Sequence, residues 1–334
     1  MKILVTGGAG YVGSHFVKAA VRRGYDIAVV DNLTTGHLAA IDAAAKFHNA
    51  DINNLPEMRK IFDAEKPEAV VHFAAYSQVA ESVEDPLKYF DNNVGGMICL
   101  LKTMVASGVK KLVFSSSAAT YGNPAKIPIK ETVAQNPINP YGETKLQMEK
   151  IMRWCDQAYG VKSVALRYFN VAGAWGDGSI GEDHRPETHL VPNILKAALG
   201  EAPSLTIFGD DYATPDGFNV RDYVHPADLA EAHLLAIDYL KKYGRSDVFN
   251  LGSSTGFSVK QMLDKAEKIV GKPIPYKIGA RRPGDPPILV ADSTKARKIL
   301  HWRPKYDTVE AIIQTAWLWH SSHPRGFDEI LVDD

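Results

Sequence analysis

The sequence predicts a doubly wound parallel α/β sheet carrying a smaller mixed α/β lobe, and three observations support this. Through about the first 170 residues, short apolar runs alternate with amphipathic stretches, the pattern of strand-helix-strand units that build a parallel sheet covered on both faces. A glycine-rich segment follows the first run at once. Beyond about residue 170, loops rich in Gly, Pro, Asp and His separate isolated amphipathic helices.

The elements follow in order. Residues 3–6 form a first strand, residues 14–23 a helix and residues 26–31 a second strand ending in Asp31. A further extended segment precedes Asp51, and strands at 69–73, 111–115 and 161–167 complete the regular part. Asn139 and Pro140 read as the cap and first turn of a helix. Helices are expected at 191–199, 226–240 and 258–270. Residues 1–170 are therefore expected to form a dinucleotide-binding Rossmann domain and residues 171–334 a substrate-binding lobe, with about 217–250 returning to the first domain. No linker-like tract separates the halves, so a cleft between them is the expected site.

Composition narrows the function. The formal net charge is -1, and no Lys/Arg block offers a phosphate-backbone footprint, which argues against nucleic acid. Apolar runs fall short of the roughly 18 residues of a membrane span. The chain opens on a strand-like run without a charged leader, and its two cysteines, Cys99 and Cys155, build no disulfide framework. A cytoplasmic protein is expected.

Thr6-Gly7-Gly8-Ala9-Gly10-Tyr11-Val12-Gly13 joins the first strand to a helix. Gly7, Gly10 and Gly13 permit a tight turn, close backbone approach to a pyrophosphate and close helix packing, while the helix N-terminus offers amide donors. Asp31, ending the second strand, is placed to accept hydrogen bonds from adenosine ribose hydroxyls and to repel the extra phosphate of NADP. NAD is the expected cofactor. Asp51-Ile52 and Phe73-Ala74-Ala75 are expected to line the adenine and ribose pockets.

Spacing of four puts Tyr141 and Lys145 on one helical face. A phenol titrates near pH ~10, and a nearby ammonium and a cationic nicotinamide ring both favour the phenolate, making Tyr141 a usable base. The run Ser115-Ser116-Ser117 emerges from a strand beside the cofactor crevice. Ser117 is placed there to bond a reacting hydroxyl and share its proton with Tyr141.

On these motifs the chain resembles the extended short-chain dehydrogenase family, and within it the UDP-glucose 4-epimerase branch. Further marks are Asp31-Asn32-Leu33, His72-Phe73-Ala74, Glu81-Ser82, Asp91-Asn92-Asn93, Tyr121-Gly122, Arg167-Tyr168-Phe169-Asn170, Gly181-Glu182-Asp183, Val220 to His225 and Arg281 to Asp285. The resemblance implies that Ser117, Tyr141 and Lys145 are catalytic. It implies NAD contacts from Gly7, Gly10, Tyr11, Val12, Gly13, Asp31, Asn32, Asp51, Ile52, Phe73, Ala74, Asn92, Ser115, Tyr141, Lys145 and Tyr168. For a UDP-sugar it implies Ser117, Tyr141, Asn170, His189, Leu190, Thr206, Phe208, Arg221, Tyr223, Arg282, Asp285 and Leu289. Arg221 and Arg282 would clamp the diphosphate, since a guanidinium fork matches phosphate oxygens.

A hydrogen on sugar carbon 4 is not next to a carbonyl, so inversion there requires oxidation to a 4-keto sugar and return of the hydride to the opposite face. Related 4,6-dehydratases resemble Thr-Asp-Glu where this chain has Ser117-Ala118-Ala119, and alanine transfers no proton. A net dehydrogenase or dehydratase, and a non-catalytic NAD-binding module, are the competing readings. Two positions depart from better-known epimerases: Ser77 stands where those resemble lysine, and His189 where they resemble asparagine. Leu289 stands at a gate where tyrosine is associated with excluding N-acetyl groups, so UDP-N-acetylhexosamines and UDP-pentoses are the alternative substrates. Apolar helices at 94–105 and 146–159 resemble those of the family's dimer interface, so a homodimer is expected. Glu182, Asp183, His184, Glu187 and His189 read as a loop of solvated charges, with no metal expected, and Trp317 and Trp319 as helix packing against the sheet.

Overall fold

The computed structural model describes residues 1–282 and 285–327. Pro283 and Gly284 of the Arg281 to Asp285 motif, and the last seven residues of the expected second lobe, lie outside the described residues. One sheet organises the molecule: β1 (Lys2–Thr6), β2 (Asp26–Asp31), β3 (Lys46–Asn49), β4 (Ala69–His72), β5 (Lys111–Ser117), β6 (Lys162–Tyr168) and β7 (Asp247–Leu251), in the order β7-β6-β5-β4-β1-β2-β3. All neighbours are parallel. From β1 the chain winds outward to β3, then returns to place β4 on the other side of β1. This reversal opens a crevice beyond the carboxyl ends of β1 and β4, where ligands of such sheets bind.

The principal helices are α1 (Tyr11–Arg22), α2 (Leu55–Glu65), α3 (Gly96–Ala106), α4 (Pro140–Tyr159), α5 (Leu190–Leu199), α6 (Pro226–Tyr243), α7 (Val259–Val270) and α8 (Val309–Ser322). Because both faces of the sheet are covered, its inner strands are apolar on consecutive residues: Ile3, Leu4 and Val5 are all buried. Ile3 and Val5 join Phe16, Val17, Ala230, Leu234 and Ile237 of α1 and α6 on one face. Leu4 joins Met58, Phe62, Met97, Leu100, Met148 and Met152 of α2, α3 and α4 on the other. A third core, with Ile194, Leu195, Ile207, Met262, Leu263, Ile312 and Ile313, gathers α5, α7 and α8 around the parallel strands Leu205–Phe208 and Tyr276–Gly279.

β3 is the extended segment expected before Asp51, and β7 was not among the strands expected. The edge strand β3 is Lys-Phe-His-Asn and largely open to solvent, so it carries no apolar run. In β7 the polar Asn250 is fully buried, and its side chain bonds Tyr121 and the Ile129 carbonyl. Trp319 packs elsewhere than expected. Its ring lies against Gly181, where a Cβ would come within 2.2 Å, and its Nε1 donates to the Glu182 carbonyl at 3.1 Å. No helix of the described residues is long and apolar enough to cross a membrane.

Candidate active site

The glycine-rich loop sits at the mouth of the crevice. Gly7 has φ +74°, and a Cβ there would come within 2.4 Å of the Ala74 nitrogen. A Cβ on Gly13 would lie 2.0 Å from the Gly7 carbonyl, so this glycine lets α1 start against the loop. Gly10 differs, because its Cβ would meet nothing nearer than the Gly7 carbonyl at 3.5 Å. Protein packing does not demand glycine there. Close approach of a ligand backbone would.

Asp31 is buried, and its carboxylate accepts from Ala9 N–H at 3.0 Å and from Leu33 N–H at 2.9 Å. Burial raises its pKa, while these two amide bonds pull it back. Beside it, Asn32 Nδ2 donates to Asp51 at 3.2 Å, and Ile52 is buried under Gly96. Phe73 and Ala74 follow β4 with backbone bonds to Thr6, and the Phe73 ring lies against Phe16 and His233. Tyr11 and Val12 open α1, and the Tyr11 hydroxyl donates to the Gly173 carbonyl at 2.6 Å. Asn92 lies in a π-helical turn, Phe90–Gly95, and donates to Asn93 at 3.0 Å. Such turns recur at functional sites.

The catalytic candidates converge from two elements. β5 ends in Ser115-Ser116-Ser117, while Asn139 caps α4 by accepting from Gly142 N–H at 2.8 Å, which sets Tyr141 in the first turn and Lys145 one turn deeper. The Ser117 hydroxyl lies beside the Tyr141 phenol and lowers its pKa, while burial raises it more. Lys145 Nζ donates to the Ser115 carbonyl at 2.9 Å and stands 5.7 Å from the centre of the Tyr141 ring. Burial lowers its pKa to about 7, opposed by the carboxylate of Glu149. Tyr168, on β6, hydrogen-bonds the Ser115 hydroxyl.

Two positioning residues escaped the sequence reading. Gly142 lies so close to Ser117's neighbours that a Cβ would come within 2.5 Å of the Ala119 carbonyl. Asn93, fully buried, bonds the backbone of Tyr76 and the Thr144 hydroxyl, tying the loop after β4 to α4. The Tyr-Gly and Asn-Asn pairs were the only signals, and neither specifies a contact.

The expected sugar-nucleotide residues divide between two neighbouring places. Arg221 forms a largely buried ion pair with Asp285, which also accepts from Tyr212 and Asn219. Leu289 pairs with Arg221 across two short parallel strands, and Arg282 lies over the Phe208 ring at 4.1 Å from its centre. Thr206 shares Phe208's strand, and Asn170 pairs with Tyr223. Leu190 begins α5, and His189 before it turns its Nδ1 to Glu187 and Glu182, at 2.9 Å from each. That segment is not a loop of solvated charges: the Glu182 and Glu187 side chains are each 3% exposed.

A doubly wound sheet with a glycine-rich phosphate loop and a serine, tyrosine and lysine at its crevice defines a nicotinamide-dinucleotide enzyme of the short-chain dehydrogenase type. The chain belongs to the NAD dependent epimerase/dehydratase family, whose pattern matches residues 3–252. It is 59% identical over 329 residues to the UDP-glucose 4-epimerase of Lactobacillus helveticus, covering 98% of this chain and 100% of that one. It is 60% identical over 332 residues to the UDP-glucose 4-epimerase of Streptococcus mutans, covering 98% and 99%. Among solved structures it resembles the UDP-glucose 4-epimerase of Brucella ovis in complex with NAD, with TM-score 0.92, 46% identity and coverage of 95% and 97%.

Proposed function

We propose that this protein is an NAD-dependent isomerase that interconverts UDP-glucose and UDP-galactose by inverting carbon 4 through a transient 4-keto sugar, without net redox change. The observation that carries the reading is the convergence of Ser117, Tyr141 and Lys145, with Ala118 and Ala119 following Ser117. The residues fit NAD: Gly10 leaves room for a ligand backbone, and Asp31 directs a buried carboxylate toward where a ribose would lie. NAD, when bound, supplies the hydride acceptor and a positive charge.

Tyr141 takes the proton of the 4-hydroxyl, and Ser117 orients that hydroxyl by sharing a hydrogen bond. Burial resists the phenolate, so a cation in the crevice shifts Tyr141 toward the base form. Lys145, anchored by the Ser115 carbonyl, keeps further N–H donors for the cofactor ribose. Arg221 and Arg282 hold the diphosphate, and Asp285 orients Arg221. Ala118 and Ala119 supply no acid or base for elimination, so the ketone has no route to dehydration.

Residues 1–170 with about 217–250 act as the cofactor domain, and the remainder as the sugar-nucleotide lobe. A cytoplasmic homodimer belongs to the same proposal. Exposed Ile98 on α3 and Trp154 on α4 support pairing through those helices.

The test is to incubate purified protein with UDP-galactose without added NAD. UDP-glucose should form with no accumulating NADH. Accumulated NADH or a 4-keto-6-deoxy sugar would overturn the reading in favour of a dehydrogenase or dehydratase, and absence of turnover would favour a binding module.

A further inference from the structure

We propose that Glu182, His184, Glu187 and His189 form a structural site for a divalent cation of the zinc type, in the loop joining the strand Asn170–Val171 to α5. The ligand atoms of all four side chains lie within 4.8 Å of one another. His189 Nδ1 is 2.9 Å from both Glu182 Oε1 and Glu187 Oε1, while His184 Nδ1 is 3.2 Å from Glu182 Oε1 and 3.7 Å from Glu187 Oε2.

Two features separate this cluster from an ordinary charged loop. Both carboxylate side chains are 3% exposed, so the two anions depend on His184 and His189 rather than on water. His184 Nδ1 is also sealed from solvent and aimed between the two carboxylates, yet its geometry completes a hydrogen bond with neither. The nitrogen stands 3.2 Å from Glu182 Oε1 and 3.7 Å from Glu187 Oε2, within reach of an ion held between the two carboxylates.

Chemistry selects the ion. Two carboxylates, two imidazoles that give up their protons on binding and one dication sum to zero charge. Nitrogen donors disfavour magnesium and calcium, and a mixed His/carboxylate set of four suits tetrahedral zinc. Four protein ligands leave no open position, the mark of a structural site. The surroundings are organised to hold them: the backbone N–H groups of Thr188 and His189 donate to Glu187 Oε1 at 2.8 and 2.7 Å, leaving Oε2 toward His184. The Tyr11 ring meets His184 edge-on, and a cavity of about 310 Å³ beside Glu182, His184 and Glu187 provides an approach. The bound ion would fix the segment Glu182 to His189 at the start of α5.

The test uses the untagged, full-length protein as purified, stripped with a chelator and then given Zn²⁺ alone. Metal retained after dialysis is measured by mass spectrometry, beside the variants His184→Gln and Glu187→Gln. The unmodified protein should hold stoichiometric zinc, and each variant should lose affinity by more than the ~100-fold that an outer-shell loss can cost. Substoichiometric zinc, or equal retention by folded variants, overturns the site. If the variants do not fold, Co²⁺ decides on the unmodified chain: intense visible bands of a tetrahedral ion, displaced by Zn²⁺, support the proposal, and a pale solvent-like spectrum overturns it.

Discussion

Tyr141 reaches its position through its own helix turn, so its hydroxyl can be removed without disturbing the backbone. Tyr141→Phe should lower turnover by about 10²- to 10⁴-fold, the range of general acid-base catalysis, while bound NAD, followed by absorbance, stays in place. Loss of NAD instead would remove the assigned role. Lys145 gives a signed pH dependence. The unfolded lysine keeps its proton to 10.5, whereas the folded site releases it near 7. Between those values the unfolded chain binds more protons, so stability rises with pH through that window. Urea unfolding of cofactor-free protein should show this slope, and Lys145→Met should flatten it. Spacing in the sequence is enough to put Tyr141 and Lys145 on one face and to single out Ser117. It does not reveal that burial opposes both charged forms, because desolvation depends on elements distant in the chain.

At the level of elements, α4 is locked to the sheet by a buried network. Arg167 donates from Nε and Nη2 to Glu149 at 2.9 and 2.5 Å, and from Nη1 to the Tyr121 hydroxyl at 2.7 Å. Removing one partner strands a buried charge, so Glu149→Ala should destabilise the protein by about 3–5 kcal/mol, read by denaturant unfolding. Gly142→Ala tests the helix position separately. It should push α4 from Ala119 and lower kcat more than it changes stability, whereas an unchanged kcat would show that the close approach does not set the Ser117–Tyr141 geometry. The strands with apolar runs and the capped start of α4 were legible because local patterns dictate them. β3 was legible only as an extended segment, since an edge strand needs little apolar content, and β7 was not legible, since the Asn250 side chain bonds residues more than a hundred positions away.

For the whole molecule, substrate binding depends on groups brought together from separate stretches of the second lobe. Arg221→Ala should weaken UDP-sugar binding by about 10- to 100-fold, the equivalent of a lost charge-assisted hydrogen bond, with KM rising more than kcat falls. Sequence resemblance named Arg221 and Asp285 individually but not their ion pair, since only the folded chain sets residue 285 against residue 221.

The segment between Gly173 and His189 crosses α1 and the loop after β2. It receives the Tyr11 hydroxyl at Gly173, Lys18 at Ser179, Arg22 at Asp177 and His37 at the Asp183 carbonyl. Together these bonds tie the segment to the helix that follows the glycine-rich loop. A cofactor that finishes each cycle in the form in which it began has no need to exchange. If this segment closes over the dinucleotide, the residence time of NAD and the amide hydrogen exchange of the segment should share one opening rate, and unequal rates would separate the two.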